Sequence, residues 1–150
     1  MGNTTIKFGT DGWRAKIADS YTFASVRRCT AGFAAFMLEE EGTADPIVIG
    51  YDQRFGSESF AVAAAEVLAA AGFIVHLTDR ATPTPVISYS VTARKAAGAI
   101  NITASHNPYT DNGFKVRNRA GGAIPPEGLA RIEAAIPKDD DSVSRIPFSE

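Results

Sequence analysis

From residue 19 onward the chain alternates between two kinds of apolar spacing. Phe23, Val26, Thr30, Phe33 and Met37 recur three and four residues apart, with Asp19 and Ser20 ahead of them as caps and Gly42 behind as a stop; this predicts an amphipathic helix. Pro46 to Tyr51 is instead a continuous apolar run, ended by Asp52 and Arg54, the mark of a strand covered on both faces. The two spacings then repeat. Ser57 or Ser59 opens a second helix, with Phe60, Ala64, Val67, Leu68 and Ala71 on one face and Gly72 closing it, and Phe73 to Leu77 is a second buried strand. The proline-locked Thr82-Pro83-Thr84-Pro85 leads into a third helix over 86–96, and Ala97 to Thr103 is another small apolar strand. Ahead of this series Thr4 to Phe8 alternates as a short strand, and Gly9-Thr10-Asp11-Gly12 turns the chain before Trp13 to Ile17. After it the chain turns at Gly121-Gly122, and Pro125-Pro126-Glu127 opens a last helix ending near Ile136.

Strand, helix, strand, helix, strand in this order predicts an α/β fold, a three-layer α/β/α domain on a mainly parallel (mixed) sheet. Ligands of such sheets bind beyond the carboxyl ends of the strands, where Asp52, Thr82 and Ser105 fall. Residues 1–136 read as this one domain, and the charged, proline-containing residues 137–150 as a linker toward a second domain.

Composition narrows the functions. The chain has 150 residues, 15 basic against 17 acidic; that is enough for one core and gives no reason to expect a nucleic-acid partner. No apolar run is long enough to span a membrane, and the first residues lack a signal-peptide layout, so a cytoplasmic location is expected. The single cysteine, Cys29, reads as a buried core side chain. Asn-X-Thr triplets at Asn3 and Asn101 would be glycosylation acceptors only in a secreted protein, and read as coincidence. Oligomeric state is left open.

Candidate chemistry gathers between Asn101 and Lys115, in Asn-Ile-Thr-Ala-Ser-His-Asn-Pro-Tyr-Thr-Asp-Asn-Gly-Phe-Lys. Pro108 and the Asn112-Gly113 pair block helix and continuous strand alike, which puts Ser105 on an ordered loop at a strand end. Around its hydroxyl stand an imidazole (His106), an amide (Asn107) and an ammonium (Lys115), a set suited to an anionic group on serine. Serine hydrolysis is the rival chemistry. Neighbouring side chains of extended backbone point to opposite sides, however, and there is no Gly-X-Ser-X-Gly elbow; His106 therefore binds phosphate or structures the loop. Arg14, after a glycine turn, offers bidentate donors to a phosphoryl group. Asp52 and Arg54 either orient the serine loop or cap the next helix and pair with each other, and the sequence favours the second.

Thr-Ala-Ser-His-Asn-Pro followed by Asn-Gly-Phe-Lys resembles the active-site signature of the α-D-phosphohexomutases, the superfamily of phosphoglucomutase, phosphomannomutase and phosphoglucosamine mutase. Phe8-Gly9-Thr10-Asp11-Gly12-Trp13-Arg14, Gly50-Tyr51-Asp52-Gln53-Arg54 and Thr82-Pro83-Thr84-Pro85 agree with it in order. The resemblance covers essentially the whole chain, but only the first of four domains. It implies that Ser105 is a phosphoserine that gives its phosphate to a hexose phosphate and recovers one from the other end of a hexose 1,6-bisphosphate. Lys115 would donate to phosphate oxygens or exchange a proton with the sugar hydroxyl. Arg14, His106 and Asn107 would hold phosphate, with Thr10, Asp52 and Arg54 behind them. Mg²⁺ would be held by the serine phosphate and by three glycine-spaced aspartates of the next domain, a loop missing here; Asp139-Asp140-Asp141 has no glycine spacing and reads as a solvated charge run. Later domains would read the sugar, so this chain alone is expected to be inactive; its opening motif favours glucose or mannose phosphate over glucosamine phosphate. The alternative is a non-catalytic module binding a sugar phosphate or a protein partner.

Overall fold

A computed structural model describes residues 4–149. Five strands and four helices follow in the order β1 (Trp13–Lys16), α1 (Phe23–Glu40), β2 (Ile47–Tyr51), α2 (Ser57–Ala70), β3 (Val75–Leu77), α3 (Thr84–Ala93), β4 (Gly98–Ile102), β5 (Asp111–Arg117) and α4 (Pro126–Ala134). They form one sheet of order β1-β5-β4-β2-β3. β2 runs parallel to both β3 and β4, whereas β5 is antiparallel to β4 and to β1. The sheet is therefore parallel where crossover helices connect it and antiparallel beside the serine loop.

Alternation along the strands builds two cores. Ile47, Ile49 and Tyr51 of β2, Ile100 and Ile102 of β4, and Phe114 and Val116 of β5 turn to one face, where they meet Val26, Phe33 and Met37 of α1 and Phe60, Ala64 and Leu68 of α2. On the other face Val48 and Ala99 pack against Ile87 and Val91 of α3. This gives the expected three layers. Gly50 allows α3 its close approach, since a Cβ there would lie 2.2 Å from Ile87 Cδ1. α4 packs on α1, and α3 covers β2 and β4 but leaves the β5–β1 end of its face without a helix.

Three expectations are corrected. Thr4 to Phe8 forms no strand; Ile6 is buried in the core without ladder pairing, and the Phe8 amide donates to Glu133. Helix α1 is capped not by Asp19 or Ser20 but by Thr22, which makes a capping box with Ser25. Asn112-Gly113 does not interrupt the chain: β5 runs straight through it. The Asn112 side chain is fully buried and hydrogen-bonded, and a Cβ on Gly113 would lie 2.4 Å from the Thr103 carbonyl oxygen, so this glycine serves close approach of strands rather than a turn.

Residues 137–149 lie back on α1 and α2. Arg28 Nε donates to the Pro137 carbonyl, Arg27 forms a two-pronged ion pair with Asp140, and the Ile146 and Phe148 amides donate to the Glu66 carbonyl and carboxylate. Asp140 is thus an anchor within the supposed solvated run. Asn101 is buried in β4, donating to Thr84 Oγ1; Asn3 lies outside the described residues. Among the described residues no helix is long and apolar enough to cross a membrane.

Candidate active site

Strand β4 ends at Ile102, and the Thr103 amide still donates to the Gly113 carbonyl before the chain leaves the sheet. Thr103 Oγ1 accepts from the Ser105 amide at 3.1 Å, and the Asn107 amide donates back to the Ala104 carbonyl, which closes a tight turn. Ser105 stands in it, exposed, with φ of 56°. That is the left-handed region, unfavourable for a residue with a Cβ unless its surroundings hold it there. The backbone is thus a turn and not the extended chain that the sequence suggests, and His106 is exposed on the same turn.

What holds the turn is Arg54. Its Nη1 donates to the carbonyls of Pro108 and Asp111, and its Nη2 to those of Ser105 and Asn107, all between 2.7 and 3.0 Å. Nε donates to Asp52 Oδ2 at 3.1 Å. All five N–H donors of a guanidinium are thereby in use. Asp52 is fixed in turn: its Oδ1 accepts from the Arg54 amide and from Ser57 Oγ, and Ser57 Oγ accepts from Asn112 Nδ2. A relay runs from β5 through the start of α2 to the serine loop. Asp52 and Arg54 pair with each other, as the second reading has it, and orient the loop, as the first has it; neither caps α2, whose N-cap is Gly56 with no side-chain hydrogen bond.

Arg14 comes from β1, where it lies opposite Gly113, and Nη1 donates to Asn107 Oδ1 at 3.1 Å; Asn107 Nδ2 donates to Asp111. A guanidinium is thus tied to the serine turn by a single bond. Lys115 is not a surface lysine on a sheet edge. It lies in β5, between β4 and β1, and is buried, with Nζ 3.1 Å from Asp11 Oδ2. Asp11 also pairs with Arg117. Burial raises the pKa of the Asp11 carboxyl, but the hydrogen bonds and charges of Arg117 and Lys115 outweigh it and hold the group below its ordinary value. Thr10 is exposed in the turn closed by the Gly9 amide on the Gly12 carbonyl, and with Lys7, Asp11, Gly12 and Arg14 it lines a hollow of about 230 Å³. A larger hollow, about 800 Å³, lies between β3 and α3, and no residue of the serine loop lines it.

Ser105, Asn107, Arg14, Asp52 and Arg54 are therefore in one bonded network, while Lys115 belongs to a second one around Asp11. Ser57, Asn112, Asp11 and Arg117 escape the sequence reading. Asp11 is visible inside the Phe8 to Arg14 motif, whereas Ser57 reads in sequence only as a helix cap and Asn112 only as a breaker. Mg²⁺ finds no complete site: among the described residues no three of His, Cys, Asp and Glu gather to hold an ion. Asp140 is paired with Arg27, Asp139 accepts from the Ser142 amide, and Ser105 offers one exposed oxygen. Chemically, the arrangement presents a hydroxyl on a rigid turn beside a guanidinium.

Residues 5–143 match the family model for phosphoglucomutase/phosphomannomutase, alpha/beta/alpha domain I. A Schizosaccharomyces pombe protein that carries the name phosphoribomutase is 36% identical over 139 residues, which are 89% of this chain and 24% of that protein. A phosphoglucosamine mutase of Synechococcus elongatus is 35% identical over 130 residues, 86% of this chain and 27% of its own length. A solved structure from Thermus thermophilus that carries the name phosphomannomutase superposes with a TM-score of 0.90 at 35% identity, over 99% of this chain and 33% of that one. The chain thus spans about a quarter of the length of these two curated relatives. With the serine turn, the mixed sheet and this match in agreement, the chain belongs to the phosphoglucomutase/phosphomannomutase family, as its α/β/α domain I.

Proposed function

We propose that this chain is the phosphate-carrying domain of a phosphosugar mutase, which interconverts sugar 1-phosphate and 6-phosphate (5-phosphate for a pentose) through a bisphosphorylated sugar. The observation that carries the reading is Ser105 itself, exposed and in left-handed backbone on a turn that Arg54 holds through four carbonyls. Such a turn keeps a hydroxyl in one place while a phosphoryl group comes and goes. In the first half-reaction the P–Oγ bond of phosphorylated Ser105 breaks and the phosphoryl group bonds to a sugar hydroxyl, whose proton passes to a base while Ser105 Oγ takes up a proton from a general acid or water. In the second, the Ser105 hydroxyl gives its proton to a base and takes the phosphoryl group from the other end of the bisphosphate, and the sugar oxygen released by that P–O cleavage is protonated.

Within this chain Arg14, Asn107 and His106 bind phosphate oxygens. Lys115 donates to them or moves the hydroxyl proton. Mg²⁺ in the whole enzyme would touch this chain only at Ser105 or its phosphate, with carboxylates from outside the chain as the remaining ligands. Residues 137–150 would lead toward a second domain. Relatives named for ribose, glucosamine, glucose and mannose all match this domain, so the match does not choose among these sugars, and on this reading the sugar is read outside the chain. A cytoplasmic location belongs to the same reading, in keeping with the free, buried Cys29 thiol.

Intact-mass measurement of the native protein tests the proposal most directly. One added phosphate, mapped to Ser105 and missing from Ser105→Ala, is the expected result. An unphosphorylated native Ser105 that also takes no phosphate from glucose 1,6-bisphosphate would point to the binding module instead.

A further inference from the structure

Lys115 and Arg117 share one face of β5, two residues apart, and the same carboxylate meets both. Asp11 Oδ2 receives Lys115 Nζ at 3.1 Å and Arg117 Nη2 at 3.3 Å, and Oδ1 receives Arg117 Nη1. Both cations are buried, their side chains 9% exposed. Asp11 is held in place from below. Gly12 has φ of 120°, and a Cβ on it would lie 2.1 Å from the Phe114 carbonyl oxygen, so the turn carrying Asp11 rests directly on β5. Arg117 is braced as well, donating to the Val116 carbonyl. Among the described residues the carboxylate paired with Lys115 is that of Asp11 alone.

A purely structural ion pair would be complete with Arg117. The second cation changes what the carboxylate can do, because Lys115 can leave Asp11 for an incoming anion while Arg117 keeps the carboxylate neutralised. Opposite Gly113, on the same face and two residues before Lys115 on β5, stands Arg14, which reaches the serine turn. We propose that Asp11 is the positioning residue for Lys115: it parks the ammonium on the β5 face beside Arg14, and Arg117 fixes Asp11 so that Lys115 is free to move onto phosphate. The proposal rests on the reading of Lys115 as a phosphate-facing group given above, and goes beyond it in naming what sets its place.

Two measurements test it. In limited acetylation of this chain with an N-hydroxysuccinimide ester, read by peptide mass spectrometry, Lys115 should react far more slowly than exposed Lys7 and Lys16. Asp11→Asn should raise the Lys115 rate by about fivefold or more, and Asp11→Glu should return it to within about twofold of wild type. An unchanged Lys115 rate in Asp11→Asn overturns the proposal. Circular dichroism checks folding, and should Asn fail to fold, Asp11→Ser takes its place with the same expectations. In the enzyme that contains this domain, Asp11→Asn should lower kcat about tenfold or more with KM within about threefold, and Asp11→Glu should recover most of the loss. An unchanged kcat with Lys115 still required for turnover also overturns it. Turnover that survives Lys115→Met, with labelling altered as expected, would refute the phosphate role of Lys115 and leave the positioning intact.

Discussion

Ser105 and Arg54 form a pair in which one residue is strained and the other removes the freedom to relax. The left-handed backbone at Ser105 is disfavoured by roughly 1–2 kcal/mol for a residue with a Cβ, so Ser105→Gly should be more stable than Ser105→Ala by about 1 kcal/mol, the strain relieved less the entropy cost of glycine. Urea unfolding measures the difference, and equal stabilities would mean that the turn is not strained. Arg54→Lys keeps the charge but has three donors for five acceptor positions. We expect a loss of about 2 kcal/mol or more and faster amide exchange over 105–111. Unaltered exchange in that segment would show that the turn holds its own shape. For Asp11 the sign follows from its depressed folded pKa: its contribution is complete above the unfolded value, about 3.9, and is lost as pH falls through the lower folded value. Asp11→Asn should therefore flatten the acid limb of stability below about pH 4. A limb as steep as wild type's would place the linkage in another carboxylate.

At the scale of elements, the periodic and proline-opened segments read true, while Thr4 to Phe8 and the stretch around Asn112-Gly113 did not. Helices α1 and α2 and strands β2 and β4 have enough apolar positions for their spacing to show in the sequence. Strand β5 was hidden because Asn112-Gly113 is ordinarily turn chemistry. Here bonds from distant residues override it, with Ser57 taking the asparagine amide and Thr103 lying where a Cβ on Gly113 would go. Thr4 to Phe8 errs the other way, its alternation going into burial of Ile6 without a neighbouring strand. The candidate site was legible to the same extent: Ser105, Arg14 and Lys115 stand in contiguous motifs, whereas the relay joins Asp52, Arg54 and Ser57 to Asn112, which lies 55 positions beyond Ser57. Two substitutions separate the local from the tertiary contribution. Thr22→Ala removes a helix cap and should cost about 1 kcal/mol. Gly12→Ala drives a methyl into backbone at positive φ and should cost on the order of 3 kcal/mol or more, together with displacement of Asp11. If Gly12→Ala melts within a degree or two of wild type, the turn has room to move off β5 and the account of Asp11 weakens with it.

For the whole molecule, the chain is a folded unit that carries, on the proposed reading, one part of a phosphoryl-transfer site. Its sheet is covered on one face by α1 and α2 and on the other by α3, and residues 137–149 are fastened back onto the first layer through Arg27, Arg28 and Glu66. Two cores around one sheet are sufficient for cooperative folding at this size. The described residues bring a hydroxyl and a guanidinium together at the serine turn and pair the Lys115 ammonium with Asp11 in a second network, but among them no carboxylate cluster gathers that could hold a metal. Phosphoryl transfer depends on positioning and on charge stabilisation, each lowering the barrier by several kcal/mol. The 150-residue chain should accordingly unfold in one cooperative transition by circular dichroism, yet give no turnover in a coupled assay with glucose 1-phosphate or mannose 1-phosphate, the matching bisphosphate and Mg²⁺. It should accept a phosphate on Ser105 only slowly, because the donor would be held by Arg14, Asn107, His106 and Lys115 alone. Metal-dependent turnover by this chain, abolished by Ser105→Ala, would refute the prediction and require that copies of the domain complete one another's sites.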